Sequence, residues 1–484
     1  MSRDPTLVWF RRDLRLDDHA ALRAAVGRGG PVVPVFVLDA VEDGDWAPGG
    51  AARWWLDRSL AALGRDLEER GSRLILRRGP VIGTLLDLVA QTGAGAVFFH
   101  RRYEPAARRC EEALLDALGA RGVEVRGFNG NLLFEPWEIE KKGSGPFQVF
   151  TPFWRTCLAR DEPAAPRPAP RRLPAPRKWP RTEALAAFGL EPRLDWAAGL
   201  RAAWTPGEAG ARARLRRFVT RALADYVDGR NRPDRPGSSR LSPHLHFGEI
   251  SPRRVWQAVK QASARTDSGS ARTSMDTFLA EIGWREFAHH LLWHFPATVD
   301  DPLRPEFARF PWRRDPAALR AWQRGRTGYP IVDAGMRELW TTGWMHNRVR
   351  MVVASFLVKD LLLRWQDGAR WFWDTLVDAD LAANTMGWQW TAGCGADAAP
   401  YFRVFHPVLQ GERHDPDGAY VRRWVPELAG LPSRWIHRPW EAPEHALATA
   451  GIALGTDYPR PIVEHDVARD RALAAYDRIR KARA

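Results

Sequence analysis

Short apolar runs alternate with amphipathic stretches along the first part of the chain. "TLVWF" (6–10), "PVVPVFVLD" (31–39), "RLILRRG" (73–79), "GAVFFH" (95–100) and "VEVRGFN" (123–129) have the length and β-branched content of strands. Between them, "DHAALRAAVGRG", "ARWWLDRSLAALGRDLEERG" and "RRCEEALLDALGARG" carry apolar groups at helical spacing. Strand–helix alternation at this interval predicts a parallel, doubly wound sheet, an α/β domain over residues 1–133.

The alternation stops after 133. "RDEPAAPRPAPRRLPAPRKWPR" (160–181) is too rich in proline to be one regular element, so 134–204 is expected to be an interdomain linker. From 205 the period becomes helical. "EAGARARLRRFVTRALADYVDGR", "SPRRVWQAVKQASA", "SMDTFLAEIGWREFAHHLLWHF", "DPAALRAWQRG", "VDAGMRELWTTGWM" and "HNRVRMVVASFLVKDLLLRW" all place apolar residues three or four apart. Residues 205–484 are therefore expected to form a large all-helical domain.

Charge narrows the partners. Lys and Arg number 72 against 58 Asp and Glu, a net charge of +14, which suits a polyanion such as nucleic acid, although arginine-rich coding bias would produce the same excess. The three cysteines, Cys110, Cys157 and Cys394, show no CxxC spacing, which disfavours a disulfide framework or a thiolate metal site. No run of about 18 apolar residues exists and no signal-peptide core follows the N-terminus, so a cytoplasmic protein that does not enter the membrane is expected. Tryptophan is the outlier, with 24 residues, 16 of them between 204 and 440.

Candidate chemistry clusters in four places. In the loop 238–242, Ser238, Ser239, Arg240 and Ser242 offer hydroxyls and a guanidinium suited to a diphosphate, or a plain serine cap beside a surface arginine. In "EIGWREF" (281–287), Glu281, Trp284 and Arg285 would share one helix face, either as a pocket wall or as an ion pair beside a core aromatic. "GWMHNRVRM" brings Asn347, Arg350 and Met351 onto adjoining turns, and Arg350 needs an acidic partner such as Asp378 or Asp380. In "DADLAANTMGWQWTAG", Asn384 and Trp388 would face together while Trp390 points about 200° away. His244, His246, His290 and His294 lack a further ligand at metal spacing, so no metal is assigned. No GxGxxG follows a strand and no GxxxxGK[ST] occurs.

Together these motifs, with "VWFRRDLRLDDHAAL" at the start and "DADLAANTMGWQWTAGCGADAAPYFRVFHP" near the end, resemble the photolyase/cryptochrome family across nearly the whole chain. The likeness is to bacterial class I cyclobutane pyrimidine dimer photolyases. It implies an α/β antenna domain and a helical FAD-binding domain. It also implies light-driven repair of dimers in double- or single-stranded DNA by a monomeric lyase. A cryptochrome photoreceptor is the alternative.

Carried over by motif, the FAD contacts are Tyr226, Ser238, Ser239, Arg240, Leu241, Ser242, Phe278 (where many relatives have tryptophan), Arg285, Arg350, Asp378, Ala379 and Asp380. Asn384 would face flavin N5, where plant cryptochromes place aspartate and insect ones cysteine. Glu281, Trp284, Asn347, Met351 and Trp390 would surround the dimer, and Arg230 and Arg348, with Arg232 and Arg235, would meet the DNA. Trp388, Trp365 and Trp312 would relay electrons to the flavin. For the antenna, folate-binding relatives carry an acidic residue after a Tyr-Glu pair. Ala106 and Ala107 stand here, which favours a deazaflavin over folate and leaves a second flavin or no antenna open.

Overall fold

The computed structural model describes residues 4–39, 44–141, 143, 145–398 and 402–481, so 399–401 of the last motif lie outside the described residues. The chain divides into two compact units, one of residues 1–221, 239–296 and 377–382, the other of 222–238, 297–376 and 383–484.

In the first unit, five strands form one parallel sheet: β1 (Thr6–Phe10), β2 (Val32–Leu38), β3 (Ile75–Arg78), β4 (Ala96–His100) and β5 (Glu124–Phe128), in the order β3-β2-β1-β4-β5. All five apolar runs are strands. Trp9 on the central strand sits level with Val35 of β2 and Phe99 of β4. Side chains on both faces of β1 and β4 are buried, which is why these runs are apolar without alternation. Helices α1 (Ala20–Arg28), α2 (Gly50–Glu68), α3 (Val81–Thr92) and α4 (Pro105–Gly119) connect them. The sequence reading did not single out α3, whose "VIGTLLDLVAQT" is too uniformly apolar to show a stripe. Val81, Leu85 and Leu88 bury against Leu7, Val33, Val97, Leu114 and Leu118.

Strand order reverses between β1 and β4, the point where open α/β sheets tend to bind ligands beyond the strand ends. Here the chain's own polar groups fill it. Asp13 Oδ2 lies 2.9 Å from both His19 Nε2 and His100 Nδ1. The remaining ring nitrogens accept backbone N–H groups, from Leu22 onto His19 Nδ1 and from Ala20 onto His100 Nε2. Both nitrogens that face Asp13 therefore carry the protons, and the carboxylate holds the cluster by charge at 2.9 Å.

Within 134–204, a helix (α5, Phe150–Leu158) packs Phe153 against Phe287 at 5.1 Å. The proline-rich stretch is irregular but tied down: Val32 donates to Pro174 O, Leu173 to Arg70 O, and Glu183 to Leu76 O. Its backbone thus uses main-chain partners on the sheet and α2, which its prolines permit because they need none of their own N–H groups.

The second unit is helical among its described residues. Its Pro330–Thr342 and Asn347–Ser355 helices approach so closely at Gly335 that a Cβ there would stand 2.4 Å from Val349 Cγ1. Fully buried Asp333 accepts the N–H and hydroxyl of Thr327, the N–H of Gly328 and the hydroxyl of Tyr458. Asp333→Ala would strand four donors and is expected to destabilise this unit by about 3 kcal/mol. A shifted urea midpoint at unchanged slope would register it, and a shift under a quarter of that size would sink the account.

Candidate functional site

The Gly269–His294 helix organises the first unit's candidates. Ser268 caps it by accepting the Ala271 N–H. Phe278, Glu281, Trp284 and Arg285 recur at helical spacing on one side. Phe278 packs on Phe218 at 4.6 Å. Trp284 stacks on Phe150 at 3.8 Å and 9°, so one indole face is already covered. Arg285 donates to the Asn131 carbonyl at 2.5 Å.

One turn beyond Arg285, His289 places Nε2 3.6 Å from the Asp380 carboxylate, and His246 Nδ1 lies 3.7 Å from it. Burial works to raise the pKa of Asp380. His289, His246 and Arg285 outweigh it and hold the group well below the ordinary carboxylate range. Burial lowers both histidines in turn. Asp380 is thus a fixed negative charge flanked by neutral imidazoles. Its neighbours Asp378 and Ala379 are buried, at 6% and 2% exposure. In the serine loop, Arg240 adopts a left-handed φ of 52° and lays its guanidinium 4.7 Å from the Trp204 ring. Leu241 is buried and donates its N–H to Ser239 Oγ, and Ser242 opens the short Ser242–His246 helix.

The second unit carries Tyr226, whose ring lies 5.6 Å from the Arg230 guanidinium, and half-buried Ser238. Asn347 is exposed at the first position of the Asn347–Ser355 helix, capped by His346 Nδ1. Arg348 donates to Asn231 Oδ1 at 2.6 Å and lies 3.8 Å from Met351 Sδ. Arg350 donates its Nε to the Met345 carbonyl at 2.8 Å.

Four residues of the Leu381–Ala392 helix make separate contacts. Asn384 donates Nδ2 to the Ala369 carbonyl at 3.1 Å, leaving Oδ1 as the other end of the amide. Trp388 is buried edge-on against Phe372 at 5.0 Å and Trp322 at 6.2 Å. Gln389 accepts from Leu303 N–H and donates to the Thr298 and Asp301 carbonyls. Trp390, half-buried, donates its indole N–H to the Asp397 carbonyl. The divergence of Trp388 and Trp390 is the one their helical phase predicts.

Trp388 rests on Gly368 of the Trp365–Thr375 helix, whose first residue, Trp365, is buried. Trp312, partly exposed, packs on Phe310 at 4.4 Å.

Sequence reasoning missed His289 and the role of His246, read only as a weak metal candidate. The signal for His289 was its position four residues after Arg285, on the same helix face. Gln389 and Gly368 carried no signal of their own.

Comparison with known proteins follows this geometry. Residues 278–478 match the family described as the FAD binding domain of DNA photolyase, and residues 6–171 match the DNA photolyase family. The deoxyribodipyrimidine photo-lyase of Agrobacterium fabrum is 51% identical, with 99% of this chain and 98% of that protein aligned. Cryptochrome-2 of Arabidopsis thaliana is 42% identical over 99% of this chain and 79% of its own length. A crystal structure of a bacterial class III photolyase from Agrobacterium tumefaciens superposes with a TM-score of 0.95 at 50% identity, covering 99% and 98% of the two chains. The expected likeness to class I is corrected accordingly to class III.

Proposed function

The chain belongs to the photolyase/cryptochrome family, and we propose that it is a class III-like photolyase that repairs cyclobutane pyrimidine dimers in DNA under blue light. The carrying observation is Asn384, an amide held by the Ala369 carbonyl so that its oxygen remains to accept a hydrogen bond. A reduced flavin has an N–H to offer at N5, and an aspartate in that place would add a charge or carry a proton instead.

The donor set fits an FAD. In the first unit, the Ser239, Arg240 and Ser242 loop suits a diphosphate, Phe278 gives an apolar wall, and Arg285 and Asp380 are pre-oriented by Asn131, His246 and His289. In the second, Tyr226, Ser238, Arg350 and Asn384 are the contacts that the family resemblance implies. A bound, reduced and excited FAD would supply the one electron that opens the cyclobutane ring and would accept it back.

The chain's own residues orient and tune. Glu281 would hydrogen-bond the pyrimidine carbonyls as they gain electron density, assisted by Asn347. Trp284 offers one free face for stacking, Trp390 and Met351 add apolar contact, and Arg230 and Arg348 meet phosphate. Trp388, Trp365 and Trp312 would return the flavin to its reduced form. The lesion base would be turned out of the duplex, as photolyases do, at a cost that stacking repays.

Reduced protein incubated with a dimer-containing oligonucleotide is expected to remove dimers in blue light and not in darkness. Equal dimer content in both would favour the photoreceptor reading, which the 42% identity to a plant cryptochrome supports. For the antenna, Ala106 and buried Ala107 supply no carboxylate, so a deazaflavin is expected in a chromophore extract. A folate there would assign the antenna to other residues.

A further inference from the structure

We propose that His406, His465 and Asp466 form a divalent-cation site in the second unit, with Asp360 orienting His465. One ligand atom from each of the three lies within 4.8 Å of the other two. The imidazole centroids are 4.2 Å apart with the rings inclined at 48°. The three residues come from two helix starts: His406 is the N-cap of the Pro407–His414 helix, and His465 and Asp466 open the His465–Lys481 helix.

Protonation is set for ligation at His465. Its Nδ1 is 2.5 Å from Asp360 Oδ1, and Asp360 is fully buried. A ring that donates Nδ1–H to a carboxylate keeps its lone pair on Nε2, the arrangement that orients metal-binding histidines and raises their basicity. His465 itself is only 4% exposed. His406 Nδ1 is buried with no hydrogen-bond partner among the described residues. Asp466 is exposed, its backbone N–H held by Glu464 Oε1 at 3.0 Å, so its carboxylate can turn to the ion.

The backbone behind the site is irregular where it presents Asp360. Phe356–Asp360 is a π-helical turn, closed by the Leu361 N–H on the Phe356 carbonyl, and Leu362 follows with a φ of 58°. Such turns recur at functional positions because they re-aim one side chain without ending the helix. The contrast with Asp13, His19 and His100 is instructive. There both histidines spend their lone pairs on backbone N–H groups, and no nitrogen remains for a cation.

Two imidazoles and a carboxylate are ligands for zinc or a similar borderline cation, with a fourth position left to water. Bound, the ion would tie the two helix starts together. The test is titration calorimetry with ZnCl2 on the tag-free, EDTA-treated, FAD-loaded protein. One Zn2+ per chain is expected, with affinity about a hundredfold weaker in His406→Ala and roughly tenfold weaker in Asp360→Asn. Zinc should raise the melting temperature of the wild type and not of His406→Ala, while flavin absorbance is the same in both. His406→Asn, which offers a side chain suited to an N-cap, serves if the alanine variant does not fold. No zinc uptake by the wild type, or wild-type affinity in the His406 variant, would overturn the site.

Discussion

Photoreduction of oxidised FAD is expected to slow roughly a thousandfold in Trp388→Phe, an effective barrier increase of about 4 kcal/mol. Phenylalanine fills most of the space between Phe372 and Trp322 but is far harder to oxidise than indole. The fold should therefore survive while the relay to Trp365 and Trp312 breaks. Repair by enzyme reduced beforehand with dithionite should be unchanged, because that route bypasses the relay.

Gly368→Ala tests the same relay through geometry. Its Cβ would stand 2.1 Å from Trp388 Cη2, so the indole must move, at a stability cost of about 1–3 kcal/mol. Flash photolysis of both variants decides the matter. Wild-type kinetics in Trp388→Phe would remove this residue from electron transfer.

Acidification should weaken the first unit by about 1.5 kcal/mol or more between pH 8 and pH 5. Burial lowers the pKa values of His100 (to about 3) and His290 (to about 4), and those of His19, His246 and His289 in the same direction. Unfolding restores them to about 6.5. Below that value the unfolded chain binds protons that the native state refuses, which costs about 2 kcal/mol each at His100 and His290 by pH 5, and His19, His246 and His289 act in the same direction.

Glu286 opposes them. Burial raises it to about 7, so the native state takes up its proton first and regains roughly 2.5 kcal/mol over the same range. Denaturation midpoints followed through the sheet's own signals should fall steadily from pH 6.5 downward. A midpoint that rises or stays flat would mean that these histidines are charged in the native state. Substituting Glu286 by Gln should steepen the fall, since the compensating proton is lost.

Legibility differed by element. β1, β2 and β4 were readable because a buried parallel strand must be apolar on both faces, a local property of five to seven consecutive residues. α3 was missed because that same uniformity, in a helix covered on most sides, erases the stripe that marks a helix. Trp388 and Trp390 were readable as divergent because helical phase alone separates them. Gln389 between them looked like a spacer, and its three hydrogen bonds to 298–303 became visible only in the fold.

The sequence by itself determined the strands, most of the helices, the excess of positive charge and the motifs that placed the chain in its family, all set by neighbours within a turn or two. Tertiary structure decided the order β3-β2-β1-β4-β5, the pairing of Asp380 with His246 and His289, and the reach of Asp360 to His465 across 105 positions. The physical reason is range. Periodicity and capping are read within one segment, whereas a buried charge finds its partner only when distant segments pack, and packing depends on every side chain between them.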